Sequence, residues 1–190
     1  MLIACIISDL DGTLASTEAA NFAAYRLALA EAGCTLTAPA YAAAFGLRAD
    51  ELIRRVAPGL PAEAIAQVRA RKAHHYLAHL HLVAVNHGLL AFLRGMRGQV
   101  VLGLATTASR ANAEAVLAHI GARDLFDHLV FGEDVRTGKP DPECYRLIMA
   151  RCAVAPGACL VFEDSAPGLA AAAAAGAQVV PVRLAGAEVA

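Results

Sequence analysis

The sequence has 190 residues, enough for one hydrophobic core and a modest inserted subdomain at the usual roughly 100–200 residues per domain. Hydrophobic residues make up 58% of it, much of that alanine, which favours helix strongly and so points away from an all-β protein. The formal net charge is −1, with no basic block and no acidic tail, which argues against a nucleic-acid-binding or membrane-surface role.

In chain order, the first element is the apolar run Leu2–Ile7. It lacks a basic leader and runs at once into Asp9 and Asp11, so it reads as a buried strand and not as a signal peptide. Residues 16 to about 85 then read as helices throughout (17–32, 37–44, 48–57 and 61–80), punctuated by Gly33, Pro39, Pro58, Gly59 and Pro61, with no strand among them. Beyond them, Val100–Ala105, Leu129–Phe131, Leu160–Phe162 and Val179–Val182 are short apolar runs of the kind a buried parallel strand shows. Helical segments lie between these runs, at about 109–120, 141–153 and 166–175. Asp141 followed by Pro142 offers an N-cap side chain and a proline at the first helical position. The alanine-rich run Leu169–Ala175 is too short to span a bilayer and is taken as a buried helix face.

Strand–helix alternation of this kind predicts an α/β fold, a Rossmann-like doubly wound parallel sheet. The helical stretch interrupts that rhythm directly after the first strand. Residues 1–15 and 86–190 are therefore expected to form a discontinuous α/β catalytic core, and residues 16–85 an inserted all-helical cap. The five cysteines, Cys5, Cys34, Cys144, Cys152 and Cys159, are scattered, odd in number and never spaced C-x-x-C. Neither a disulfide framework nor a structural zinc site is expected, and a reduced, cytoplasmic setting fits.

Four segments follow predicted strands, which is where open α/β sheets bind ligands. Asp9-Leu10-Asp11-Gly12-Thr13-Leu14 places two carboxylates two residues apart; they either share one site or cap a turn. Thr106-Thr107-Ala108-Ser109 brings hydroxyls and free N–H groups to a helix start, suited to a phosphate and equally to ordinary capping. Gly138-Lys139-Pro140-Asp141-Pro142 puts a lysine on a turn pinned by two prolines. Phe162-Glu163-Asp164-Ser165 supplies a second acidic pair, and carboxylates from two strand ends can form the oxygen-only site that Mg²⁺ prefers.

In this order the four segments resemble the motifs of the haloacid dehalogenase-like superfamily, in its helical-cap branch, which includes phosphoglycolate phosphatases, sugar-phosphate phosphatases and β-phosphoglucomutase. The resemblance covers nearly the whole chain. It implies a Mg²⁺-dependent phosphatase that acts on a small phosphorylated metabolite. Asp9 would be the nucleophile that becomes an aspartyl-phosphate, and Asp11 the acid/base group. Lys139 would hold Asp9 and the phosphate, with Thr106 and Thr107 binding other phosphate oxygens. Asp9, Asp11 (through its backbone carbonyl) and Asp164 would hold the metal, with Glu163 a direct ligand or the holder of a ligated water.

On the cap, Thr17, Asn21, Gly46, Arg48 and Lys72 are the candidate substrate contacts, although Arg48 and Lys72 are equally readable as solvated helix charges. His75 and His79 lie four apart on one helix, but no third ligand is evident beside them or His74, so structural or surface roles are expected. No nucleic-acid or membrane partner is implied, and a monomer or weak dimer is expected. Three rivals share the fold: a phosphomutase of the β-phosphoglucomutase kind, a haloacid dehalogenase and a non-catalytic regulatory module. The mutase pattern has a histidine where Asn21 stands and a lysine where Phe45 precedes Gly46, so both departures favour hydrolysis. A haloacid dehalogenase lacks the second acid, and a regulatory module should have lost one of Asp9, Asp11, Lys139 or Asp164.

Overall fold

A computed structural model of the chain describes residues 2–45, 47 and 49–184. In chain order its elements begin with β1 (Cys5–Ser8), β2 (Ala15–Ser16), α1 (Glu18–Glu31), α2 (Ala38–Ala42), α3 (Ala49–Val56) and α4 (Ala62–Ala78). They continue with β3 (Ala84–Val85), α5 (His87–Met96), β4 (Val101–Ala105), α6 (Arg110–His119) and β5 (His128–Val130). The last are α7 (Glu143–Cys152), β6 (Cys159–Glu163), α8 (Ala166–Ala174) and β7 (Gln178–Pro181). The chain separates into two compact units, one made of the chain up to Ser16 and from Ala84 onward, the other of Thr17–Val83.

The first unit is a five-stranded parallel sheet in the order β5-β4-β1-β6-β7. All four residues of β1 are buried, as a central strand covered on both faces requires. One face is filled by Ile7, Val130 and Val161 from the strands against Tyr145, Ile148 and Met149 of α7 and Ala171 and Ala172 of α8. Alanines suit α8 because their small side chains let the helix lie close to the sheet. The five cysteines form no disulfide. Among the described residues no helix is long and apolar enough to cross a membrane.

Three features depart from the expectation. A two-stranded antiparallel ribbon, β2 with β3, uses Ser16, Ala84 and Val85 from the stretch expected to hold no strand. Two-residue strands are too short to leave a periodicity. Helix α5 occupies a segment to which the sequence pattern assigns nothing. The Asn86 side chain caps it by accepting from the Leu89 N–H, and Leu89, Leu90 and Leu93 bury one face, while Gly88 and Gly95 dilute the helical signal. The start of α7 also differs slightly: Pro142 is the N-cap, and the Asp141 carboxylate accepts from the Glu143 N–H at 2.9 Å.

The second unit is helical and has its own core, in which Tyr25, Leu29, Tyr41, Leu52, Ile53, Ile65 and Val68 are buried together. Tyr41 is its aromatic centre, with ring centroids 5.2 Å from Phe22 and 5.7 Å from Phe45. Helix α2 starts where the Thr37 hydroxyl accepts from the Ala40 N–H, with Pro39 in the first turn.

Gly103, in the middle of β4, marks how tightly sheet and helix meet: a Cβ there would lie 3.0 Å from Ile148 and 3.4 Å from Ile7. Gly103→Val is expected to destabilise the protein by about 1–3 kcal/mol through overpacking, read as a lower urea midpoint with an unchanged slope. An unshifted midpoint would show that Ile148 has room to yield.

Candidate active site

Because β1 lies between β4 and β6, the carboxyl ends of these three strands open onto one place, the topological switch point of the sheet. Asp9 follows β1, with its N–H bonded to the Phe162 carbonyl at 3.0 Å. Thr106 follows β4, Glu163 ends β6 and Asp164 follows it. Lys139 enters from the loop after β5, and its ammonium joins these strand ends. It donates to Asp9 Oδ1 at 2.6 Å, to Glu163 Oε2 at 3.0 Å and to the Ala105 carbonyl at 3.4 Å. The side chains of Asp9 and Lys139 are each only 7% exposed and that of Glu163 only 1%, so the charges meet away from water.

Glu163 is held on every side. Oε2 accepts from Lys139 and from the Tyr145 hydroxyl at 2.8 Å; Oε1 accepts from the Ser165 hydroxyl at 2.7 Å and the Ser165 N–H at 3.3 Å. A carboxylate has about four lone-pair sites, and protein donors fill them all. Asp164 is exposed, with Thr13 donating to its Oδ1 at 2.8 Å. Gly12 makes room for it: φ is +90°, and a Cβ there would fall 2.2 Å from Asp164 Oδ2.

The electrostatics follow from burial. Desolvation pushes the Asp9 carboxyl up to about 7, against the Lys139 ammonium and with the Glu163 and Asp11 carboxylates. Burial also works against the Lys139 charge, but Asp9, Tyr145 and Glu163 outweigh it and hold the ammonium well above its ordinary value. Asp164 is raised, chiefly by burial, despite the bond from Thr13. Oxygens of Asp9, Glu163 and Asp164 lie within 4.8 Å of one another, and one lysine cannot neutralise three carboxylates. The oxygen-only donor set and the uncompensated charge fit a hard divalent cation.

Asp11 is half-buried in the tight turn between β1 and β2, outside the three-carboxylate cluster. Thr106 is buried, and its hydroxyl accepts from the Ala108 N–H at 3.0 Å, so it shapes the turn that precedes α6; Thr107 beside it is exposed. That turn is steadied from β5, because the Gly132 N–H donates to the Ala108 carbonyl at 2.9 Å and Glu133 accepts from the Arg110 N–H at 2.9 Å.

In the helical unit, Thr17 is buried and Asn21 Nδ2 donates to its carbonyl and hydroxyl at 3.1 and 3.0 Å. Lys72 is buried too, its ammonium 4.3 Å from the Tyr76 ring centroid and 5.1 Å from that of Tyr25. Gly46 and Arg48 lie outside the described residues. His75 pairs with Glu31 at 2.6 Å, and His79 bonds the His75 carbonyl at 2.8 Å.

Sequence reasoning missed Thr13, Tyr145, Ser165 and Gly168 as members of the site. Thr13 and Ser165 were within reach, being in the same motifs as the acids they hold. Tyr145 had no local signal, since it stands on α7 among apolar residues and meets Glu163 only through the fold.

The model of the haloacid dehalogenase-like hydrolase family matches residues 3–176. The chain is 32% identical over 180 residues to fructose-1-phosphate phosphatase YqaB of Escherichia coli, covering 94% of this chain and 96% of that protein. It is also 32% identical, over 176 residues, to a phosphorylated carbohydrates phosphatase of Thermotoga maritima, covering 90% and 81%. Among solved structures it is similar to a CbbY variant from Rhodobacter sphaeroides in complex with xylulose-(1,5)bisphosphate, with a TM-score of 0.83 and 29% identity over 95% of this chain and 87% of that one.

Gly168 tests how firmly Glu163 is held. A Cβ there would lie 2.0 Å from Glu163 Oε1, in the first turn of α8. Alanine favours helix over glycine by about 1 kcal/mol, yet Gly168→Ala is expected to lower the melting temperature, because Glu163 cannot move without breaking its buried bonds. A raised melting temperature would show that Glu163 has slack.

Proposed function

The chain belongs to the haloacid dehalogenase-like hydrolase family, and from that premise we propose that it is a phosphatase that hydrolyses a small sugar phosphate through an aspartyl-phosphate on Asp9. The observation that carries this reading is the buried Asp9 carboxylate, gripped at 2.6 Å by Lys139 beside two further carboxylates at the end of the central strand. A nucleophile fixed in place is what an in-line attack on phosphorus needs.

In the first step an Asp9 oxygen attacks phosphorus, the phosphorus–alkoxide bond breaks, and Asp11 protonates the departing alkoxide. In the second, Asp11 takes a proton from water as that water attacks the aspartyl-phosphate, releasing inorganic phosphate and restoring Asp9. Lys139 keeps Asp9 aligned and offsets negative charge, and Thr106, Thr107 and neighbouring backbone N–H groups bind the remaining phosphate oxygens. Asp9, Asp164 and the Asp11 carbonyl would hold Mg²⁺, which supplies charge neutralisation between the anionic nucleophile and the anionic substrate.

The sugar-phosphate class rests on the similarity to the fructose-1-phosphate and phosphorylated-carbohydrate phosphatases. The unit Thr17–Val83 acts as a cap that selects among substrates, with Thr17, Asn21, Gly46, Arg48 and Lys72 as its contacts. The enzyme works in the cytoplasm on a soluble metabolite, without nucleic acid or membrane. Hydrolysis is favoured over mutase chemistry by Asn21, which is bonded to Thr17 and has no titrating proton to relay, and by Phe45, which has no donor.

Asp9→Asn is expected to cut phosphate release by a factor on the order of a thousand or more while leaving the melting temperature near that of the wild type. Mass spectrometry of wild type quenched during turnover should place the phosphoryl group on Asp9; a label on Ser109 or a histidine would end this mechanism. With β-glucose 1-phosphate and a bisphosphate primer, glucose 6-phosphate accumulating faster than free phosphate would assign the chain to the mutases.

Cation binding at this site is coupled to pH. Without metal, the Asp9 carboxyl is raised from its ordinary 3.8 to about 7, so its contribution to stability is present at low pH and is lost as pH climbs through 7. A cation that binds the ionised carboxylate recovers that loss. Mg²⁺ should therefore raise the melting temperature more at about pH 8 than at about pH 5.5, and chelator should abolish both the shift and turnover. In Gly12→Ala, where a Cβ displaces Asp164, the Mg²⁺ shift should disappear. A full shift in that variant would remove Asp164 from the metal site.

A further inference from the structure

Tyr145 is fully buried on α7 in the sheet–helix core, yet it carries a hydroxyl into a region otherwise built from Val130, Ile148, Met149 and Val161. A phenylalanine would fill the same volume. The hydroxyl donates to Glu163 Oε2 at 2.8 Å, the oxygen that also accepts from Lys139 at 3.0 Å. The Lys139 ammonium lies 4.9 Å from the centroid of the Tyr145 ring. Tyr145 thus touches both members of the pair that holds the nucleophile: its oxygen fixes the carboxylate and its ring face lies under the ammonium.

Each link is defined by geometry. Ser165 holds Oε1 of Glu163 from one side, and Tyr145 holds Oε2 from the other. With both oxygens tied, the carboxylate cannot rotate, and the ammonium bonded to it has a fixed position from which to hold Asp9 Oδ1 at 2.6 Å. Remove the phenol and Oε2 keeps Lys139 but loses its anchor in the core, so carboxylate and ammonium can shift together.

From this we infer that Tyr145 is a positioning residue for the phosphoryl-transfer step, acting through Glu163 and Lys139 to hold Asp9 in its attacking orientation. The inference rests on the proposed phosphatase reading for its kinetic consequence and on the structure alone for the linkage. It separates the roles of the acidic pair: Asp164 is the one that would hold a cation, while Glu163 is tied to the lysine.

The test uses Tyr145→Phe in the full chain, with p-nitrophenyl phosphate and saturating Mg²⁺. Loss of one hydrogen bond to a charged group should lower kcat about tenfold, while KM changes by less than about threefold, since the substrate's own contacts are intact. In a Glu163→Gln background the same substitution should cost less than about twofold, because the path runs through Glu163. An unchanged kcat with a lowered melting temperature would overturn the proposal, and so would costs that add independently of Glu163. A second readout needs no turnover. In protein labelled with ¹⁵N-lysine, the Lys139 ammonium resonance, assigned by its absence from Lys139→Arg, should be sharp in wild type and shifted or broadened in Tyr145→Phe. If wild type released no phosphate, the phosphatase reading would fall while this resonance still decided the linkage, and an unchanged resonance would refute it.

Discussion

The Lys139 ammonium is the piece on which the rest of the site depends. Asp9, Glu163 and Asp164 bring three carboxylates to one strand-end crevice, and burial alone would protonate or scatter them. Lys139 keeps two of them together by bonding Asp9 and Glu163 at once. Such a buried ion pair is weak as a source of stability, since the desolvation penalty roughly offsets the attraction. Its value is positional. It fixes the Asp9 carboxylate in one orientation and leaves excess negative charge beside it.

That clamp is possible only because the topology places its parts side by side. With β1 central, the residues after β1, β4 and β6 become neighbours although tens to more than a hundred positions of sequence separate them. Two glycines then set the clearances. Gly12 yields space to Asp164 and Gly168 to Glu163, and in each case a single methyl group would occupy the place of a carboxylate oxygen. The acidic cluster is thus shaped as much by what is left out as by the charges put in.

Much of this was legible in the sequence because strand ends carry their chemistry locally. Asp9, Thr106, Lys139 and the Glu163–Asp164 pair each follow an apolar run long enough to recognise, and the parallel α/β sheet follows from the alternation of those runs with helices. The features missed are those without a local period. The β2–β3 ribbon is two residues per strand, and the glycines inside α5 blur its apolar face. Tyr145 sits at a core position of α7 where any large apolar residue would satisfy the pattern, and only the spatial meeting with Glu163 gives its hydroxyl a meaning.

The two acids of the β6 motif look interchangeable in sequence and are opposites in the fold. Glu163 is 1% exposed and accepts four hydrogen bonds from Lys139, Tyr145 and Ser165, which uses its whole lone-pair capacity. To ligate a cation directly it would have to give up a buried donor, and leaving a buried polar group without its partner costs about 1–3 kcal/mol, more where a charge is involved. Asp164, one residue on, is exposed, with Thr13 steadying one oxygen. Glu163 is the last residue of β6 and shares the buried side of the strand with Cys159 and Val161, whereas Asp164 lies past the strand end. The longer glutamate chain reaches inward to the lysine, and the shorter aspartate stays at the rim of the crevice. The oxygen left open to an incoming cation beside Asp9 is therefore that of Asp164, while Glu163 governs where Lys139 can stand.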